Sequence, residues 1–177
     1  MSGIPLDHPL VARADARIER AAAAWRGNPA ADRVFYALSE AGNHSLIWHA
    51  INATDALVVP RHRSRALRRS VLLGVEQAIV NVGIKSLFMR ARPDTPVDHP
   101  YELRATRTSS FPSGHASAGA CAATLLSRDL GAAPLWWGLA AAVAWSRVHV
   151  GAHHPSDIVA GAVTGRNLAR IAGRIWP

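Results

Sequence analysis

Apolar and polar positions along this chain follow a helical period almost throughout. Leu10, Val11, Ala14, Ile18, Ala21, Ala22 and Trp25 share one helix face, while Arg13, Asp15, Arg17, Glu19 and Arg20 fall largely on the other. In a soluble protein this segment is a core-packing helix. In a membrane protein it is a helix lying in the interface, with Trp25 at headgroup level. Gly27-Asn28-Pro29 ends it, and a second helix is predicted from about Ala31 to Val59, stopping at Pro60. A third runs through the apolar stretch Val71–Ile84 and Lys85 to about Met89. An irregular stretch rich in Pro, Asp, Thr and Arg follows, from Arg90 to Ser113. A stretch of that length inside a small domain signals function or disorder. Three more helices are predicted at His115–Leu126, Ala132–Ser146 and Pro155–Ile171. Internal repeats, a βαβ rhythm and strand-like alternation are lacking. The expected fold is all-α: a compact bundle of about five or six helices in one domain, 1–177, with an amphipathic N-terminal helix within residues 1–30.

Charge spacing bears on the solvent of that bundle. A full crossing of a bilayer takes about 20 largely apolar residues. Leu130–Ser146 is free of charge, and Thr108–Ser127 is too, although it opens as a loop, Thr-Ser-Ser-Phe-Pro-Ser-Gly. Ala41–Val59 is interrupted by Asp55, Val71–Ile84 by Glu76, and Ile158–Gly165 runs on into Arg166, Arg170 and Arg174. None is decisive by itself. Joined by short connections, they predict a multi-pass transmembrane bundle. Asp55 and Glu76 are then either functional residues or residues facing the bundle interior. Met1–Trp25 is charged throughout and lacks the continuous apolar core of a secretory signal.

Composition narrows the classes further. With 49% apolar and 18% charged residues the chain is too apolar for a disordered one. The single cysteine, Cys121, excludes an internal disulfide framework and a multi-cysteine zinc site, and its alanine neighbours make it a packed apolar residue. The net charge is +8, and every cation but Lys85 is an arginine. The sharpest basic run, Arg61, His62, Arg63, Arg65, Arg68 and Arg69, has no interleaved aromatic and lies between two apolar helices. It reads as a cytoplasmic loop obeying the positive-inside bias, or as a merely solvated connection, rather than as a nucleic-acid surface.

Three polar clusters fall where helices begin or end. In Lys85-Ser-Leu-Phe-Met-Arg-Ala-Arg92-Pro93, two helical turns separate Lys85 from Arg92, so both would project from one face before Pro93 stops the helix. In Pro112-Ser113-Gly114-His115, Ser113 is an N-cap and the exposed N–H groups favour an anion. In Ser146-Arg147-Val-His149-Val-Gly-Ala-His153-His154-Pro155-Ser156-Asp157, Arg147 follows a Trp-rich helix and Pro155 marks the start of another. Fixed positive charge around the equatorial oxygens, a nucleophile and an acid for the leaving oxygen are what phosphoryl transfer requires. A histidine can serve as the nucleophile when it is neutral and oriented by a carboxylate on its other ring nitrogen. Without further context, Arg147 and Asp157 would make an ordinary ion pair, and His149 and His154 would be caps or surface residues. The latter two with His153 lack a zinc-ligand arrangement. Arg90, Arg104 and Arg107 lie nearby and would contact either a second substrate charge or solvent.

The ordered trio Lys-x6-Arg-Pro, Pro-Ser-Gly-His and Ser-Arg-x5-His-x3-Asp, complete between Lys85 and Asp157, resembles the signature of the type 2 phosphatidic acid phosphatase (PAP2) superfamily. That superfamily includes membrane lipid phosphatases, soluble bacterial acid phosphatases and vanadium haloperoxidases. The resemblance implies a PAP2/haloperoxidase-like fold and a phosphohistidine mechanism without metal or cofactor. His153 would be the nucleophile, Asp157 its orienting partner and His115 the acid and then base. Lys85, Arg92, Arg147, Ser113 and the N–H of Gly114 would hold the phosphoryl oxygens. The reading is a small integral lipid phosphatase of a cell membrane, acting on its extracytoplasmic face, with a lipid phosphate as partner and no nucleic acid. Its rivals are a soluble acid phosphatase and a phosphate- or lipid-binding membrane protein without turnover. Haloperoxidases are much larger. Phosphatidic acid, phosphatidylglycerol phosphate, polyprenyl diphosphates and polyprenyl-phosphoryl sugar phosphates are the candidate lipids. The Arg and Ala usage points to a high-GC bacterium, and so to the actinobacterial branch acting on a decaprenylphosphoryl sugar phosphate.

Overall fold

The computed structural model describes residues 8–93, 100–101 and 108–177. Arg104 and Arg107 lie outside the described residues. Seven α-helices follow in order: α1 (Pro9–Ala23), α2 (Pro29–Gly42), α3 (Leu46–Val58), α4 (Arg63–Ala78), α5 (Gly114–Leu130), α6 (Ala133–His149) and α7 (Pro155–Ile175). Proline stands in the first turn of α1, α2, α6 and α7, where its missing N–H costs nothing. Gly27, at φ +84°, turns the chain out of α1, and the Asn28 side chain caps the N–H groups of Ala30 and Ala31.

Two expected helices come out differently. The helix predicted over Ala31–Val59 breaks at Asn43–Ser45, where His44 and Ser45 take left-handed φ values of 52° and 61°. Gly42 and Asn43, weak helix formers, stand at the break, and Asn43 N–H bonds the Glu40 carbonyl one residue short of helical register. With α2 and α3 counted as one broken element, the bundle has six. The third helix passes from α4 through a π-helical turn, Ile79–Gly83, and a 3-10 turn, Ile84–Leu87. It ends at the extended Phe88, short of Met89. Arg92 is therefore not two helical turns above Lys85 on a common face, and Pro93 is not what stops the helix.

α5 is the hub. It packs most extensively on α7 and α6, and nearly all of its residues from Gly114 to Leu126 are buried. Small residues permit this. Gly161 and Gly165 on α7 lie so close to the carbonyls of Ser113 and Ser117 on α5 that an added Cβ would collide with them. Half of the buried apolar residues are alanines, while Leu57, Val58, Val71, Val75, Val82, Val159, Val163, Ile171 and Ile175 are exposed. Small residues inside with large apolar residues outside is the distribution of helices associating in hydrocarbon, where tight packing replaces the hydrophobic drive. Among the described residues, the helical stretch Pro60–Leu87 is long and apolar enough to cross a membrane. Cys121 is buried in the α5 core as expected.

α1 turns Asp15 inward, while Arg13, Arg17 and Arg20 stay exposed. Asp15 and Ala22 are buried, whereas Leu10, Val11, Ile18 and Trp25 are exposed. Asp15 is thus no solvent-side residue. At the opposite end of the bundle, the basic run splits. Arg61, Arg63 and Arg65 are exposed, but Arg68 bonds Asp129 at 2.8 Å, and Arg69 pairs with Asp55 and Asp129. Asp55 also meets His62 at 2.8 Å, and Arg128 donates to the Gly173 carbonyl. The Arg61–Arg69 run, the Arg128 turn and the C-terminal tail therefore gather at one end.

Candidate active site

The other end holds the three sequence clusters, cross-tied largely through backbone groups. Ser110 N–H donates to the Arg90 carbonyl at 3.0 Å, and the Ser110 hydroxyl to the Ala91 carbonyl at 2.9 Å. Phe88 meets Phe111 edge to face. Arg92 Nη1 donates to the Ala152 carbonyl at 2.7 Å, joining the first cluster to the third. Ser113 N–H donates to the Asp157 carbonyl at 3.0 Å, joining the second to the third. Arg92 thus reaches the site from an extended segment, not from a helix.

Ser113 caps α5 as expected, its side chain accepting from Ala116 N–H. At the second residue of the helix, His115 Nε2 lies 3.1 Å from the Ser39 carbonyl. That carbonyl is available because the break after Gly42 removes the Asn43 N–H that would otherwise occupy it. A carbonyl only accepts, so Nε2 carries a proton and Nδ1 is the nitrogen left for exchange. Gly42 lies against the same ring, where an added Cβ would meet Cδ2 at 2.5 Å. The Ser39 hydroxyl accepts from Arg147 Nη1, so one fully buried serine holds both side chains.

His153 is 2% exposed, in the connection between α6 and α7. Its Nδ1 is 3.6 Å from Asp157 Oδ2, just beyond hydrogen-bond reach, and has no other partner. Catalytic hydrogen bonds are often long until substrate is bound. Burial, and then the nearby charges of Arg147, Arg92 and Lys85, outweigh the contact with Asp157 and hold the imidazole down at a pKa of about 4. His153 is neutral at physiological pH.

The cations divide by partner. Arg68, Arg69 and Arg90 each have a carboxylate. Lys85, Arg92 and Arg147, all around His153, form no ion pair among the described residues, and the buried Nε atoms of Arg92 and Arg147 lack partners. Uncompensated buried charge is costly unless an anion shares the site. The ion pair considered between Arg147 and Asp157 does not form, because Arg90 takes that carboxylate at 2.5 Å. Both Nη atoms of Arg90 are thus held by Asp157, Asp15 and Ser156. His149 is no surface residue either: it is buried and bonded to Asp32 at 2.7 Å. His154 does cap α7, with Glu19 at 2.6 Å from its Nδ1. Each of these histidines has its own carboxylate, and no cluster of three metal-ligating side chains occurs among the described residues. Ser39, Gly42 and Asp15 were not legible as site residues, since none belongs to a recognisable spacing, and Arg90 was legible as a neighbour of the site but not as the partner of Asp157.

Residues 66–176 match the PAP2 superfamily. The chain is 36% identical over 143 residues to the decaprenylphosphoryl-5-phosphoribose phosphatase of Mycobacterium tuberculosis (strain ATCC 25618 / H37Rv), covering 78% of this chain and 76% of that one. Against the enzyme of that name from Mycolicibacterium smegmatis the identity is 35% over 149 residues, covering 83% and 80%. The fold superposes on the transmembrane PAP2 type phosphatidylglycerolphosphate phosphatase from Bacillus subtilis with a TM-score of 0.72 at 23% identity, over 96% of this chain and 88% of that one. Aquifex aeolicus LpxE gives 0.71 at 20% identity, over 90% and 94%. This chain belongs to the PAP2 superfamily. It is a phosphatase.

Proposed function

We propose that this phosphatase removes the terminal phosphate of a polyprenyl-phosphoryl sugar phosphate at the extracytoplasmic face of a membrane that it spans several times. The observation that carries the reading is the set of three unpaired cations, Lys85, Arg92 and Arg147, around a buried neutral histidine. A phosphoryl group carries the charge these cations lack. His153 attacks phosphorus through Nε2, forming the N–P bond as the P–O bond breaks, with Asp157 orienting its Nδ1–H. The leaving oxygen takes a proton from Nδ1 of His115, which must carry that second proton when the P–O bond breaks because its Nε2–H is held by the Ser39 carbonyl. Water then attacks the phosphohistidine, gives its proton to His115, and orthophosphate departs. Lys85, Arg92, Arg147, Ser113 and the Gly114 N–H hold the equatorial oxygens. The exposed apolar residues on α3, α4 and α7 support a lipid environment, and the two mycobacterial relatives, by the substrate in their name, support the lipid sugar phosphate.

The test is a panel of lipid phosphates presented to detergent-solubilised protein, with and without vanadate and EDTA. Release of phosphate from decaprenylphosphoryl-5-phosphoribose in preference to phosphatidate, inhibited by vanadate and unaffected by EDTA, is expected. Preference for water-soluble phosphomonoesters would overturn the lipid assignment. Activity lost to EDTA and restored by magnesium would overturn the mechanism.

A further inference from the structure

We infer that Asp15, on the N-terminal helix, is a positioning residue for the reaction: through Arg90 and Ser156 it fixes the carboxylate that orients His153. The inference rests on the reading of His153 and Asp157 given above.

The two oxygens of the Asp157 side chain face different neighbours. Oδ1 accepts from Arg90 Nη1 at 2.5 Å, while Oδ2 accepts from His154 N–H at 2.9 Å and faces His153 Nδ1 at 3.6 Å. A carboxylate turns about a single soft torsion. With Oδ1 held by Arg90, Oδ2 stays aimed at His153. Arg90 is a long side chain and would lose that aim unless its other end were held. Asp15 holds it. Its Oδ2 accepts from Arg90 Nη2 at 2.8 Å, and from the Ser156 hydroxyl at 2.6 Å. The same Ser156 oxygen accepts from Arg90 Nη1 at 2.7 Å. Asp15 Oδ1 accepts from Ser156 N–H at 2.8 Å, satisfying a first-turn donor of α7 from another helix. Asp15 is 4% exposed although its helix presents Leu10, Val11 and Ile18 outward. A buried aspartate on an otherwise peripheral helix, with both oxygens spent on Arg90 and Ser156, is a support for the group between them.

The experiment is a double-mutant cycle in full-length solubilised protein, following formation of the acid-labile phosphoenzyme from an aryl phosphate. Asp15→Asn keeps the shape and removes the charge. Phosphoenzyme formation should slow by about 10–100-fold, as misplacement of a reacting group does, with KM unchanged. In an Asp157→Asn background the same substitution should slow it by less than about 2-fold, because the carboxylate it positions is gone. Arg90→Lys, which keeps the charge but loses the planar fork, should behave likewise, and it replaces Asp15→Asn in the cycle if that variant does not fold. Losses that multiply in the double variant, or an unchanged rate in the single one, would overturn the inference. His153→Ala separates the two levels. If it still turns over, the reading of the site has failed. If it is dead while the cycle is multiplicative, only the role of Asp15 has.

Discussion

His153 and His115 lie at one site but are prepared for different work. Burial keeps His153 neutral down to about pH 4, well below the ordinary 6.5 of histidine, so the proposed nucleophile is unprotonated across the physiological range. In 15N-labelled protein the His153 ring should therefore remain neutral at pH 5.5; an imidazolium signal there would contradict the site. The linkage has a definite sign. A group whose pKa falls on folding contributes stability above pH 6.5, and that contribution is lost as the pH drops from 6.5 towards 4. His115→Ala should separate substrates by leaving group. On a lipid sugar phosphate, whose leaving oxygen needs a proton, we expect a loss of about two to four orders of magnitude. On p-nitrophenyl phosphate it should give a burst of nitrophenol and an accumulating phosphoenzyme, since water then lacks its base. His153→Ala should be inactive on both. Equal inactivity of the two variants on both substrates, with no phosphoenzyme in either, would contradict this division.

Between elements, contact between backbones decides the geometry. Gly165 on α7 is so close to the Ser117 carbonyl of α5 that a methyl group cannot enter without moving a helix. Gly165→Ala should cost about 1–3 kcal/mol by overpacking, read as a lower Tm of the solubilised protein. Gly138 on α6 has open space around it, so Gly138→Ala should be neutral or slightly stabilising through helix propensity. Equal effects at both glycines would mean that α5 and α7 are not packed this closely. The break between α2 and α3 belongs to the same scale. It releases the Ser39 carbonyl to His115 and sets Gly42 against the ring, so Gly42→Ala should impair the acid without touching substrate. Its mark would be a fall in turnover of lipid substrates that is much smaller for aryl phosphates.

Across the whole molecule the charged groups sort to two ends. α4 and α6 run from the arginine-rich end towards the site, and α5 and α7 run back, so the site lies opposite Arg68, Arg69 and Arg128. If the arginine-rich end is cytoplasmic, as the positive-inside bias requires, a cysteine at the exposed Ser64 should resist impermeant thiol reagents in intact cells. One at Met89, 71% exposed, should react, and the native Cys121 is buried and silent. Reversed labelling would place the site in the cytoplasm. The outward face of α1, with Trp25 64% exposed, fits the membrane interface at the site end.

Helix positions, the all-α class and the three motifs were legible in the sequence, because helical periodicity, N-terminal prolines and capping residues act over a few neighbours. The motif residues could be named for the same reason: each motif is a local spacing. The break at Asn43–Ser45 was not legible, since the packing of Gly42 against His115, far along the chain, accompanies it. Nor was the partner of Asp157. Arg147 and Arg90 both stood within reach in sequence terms, and only the fold shows that Arg90 takes the carboxylate while Ser39 holds Arg147. Asp15 is the clearest case. By periodicity it belongs on the polar face of an amphipathic helix, and polar faces ordinarily meet water. Here α7 offers an unsatisfied N–H and a serine beside Arg90, and burying Asp15 there satisfies them all. Local chemistry chose the elements; which long-range polar groups could satisfy one another inside the bundle was settled only when the helices packed.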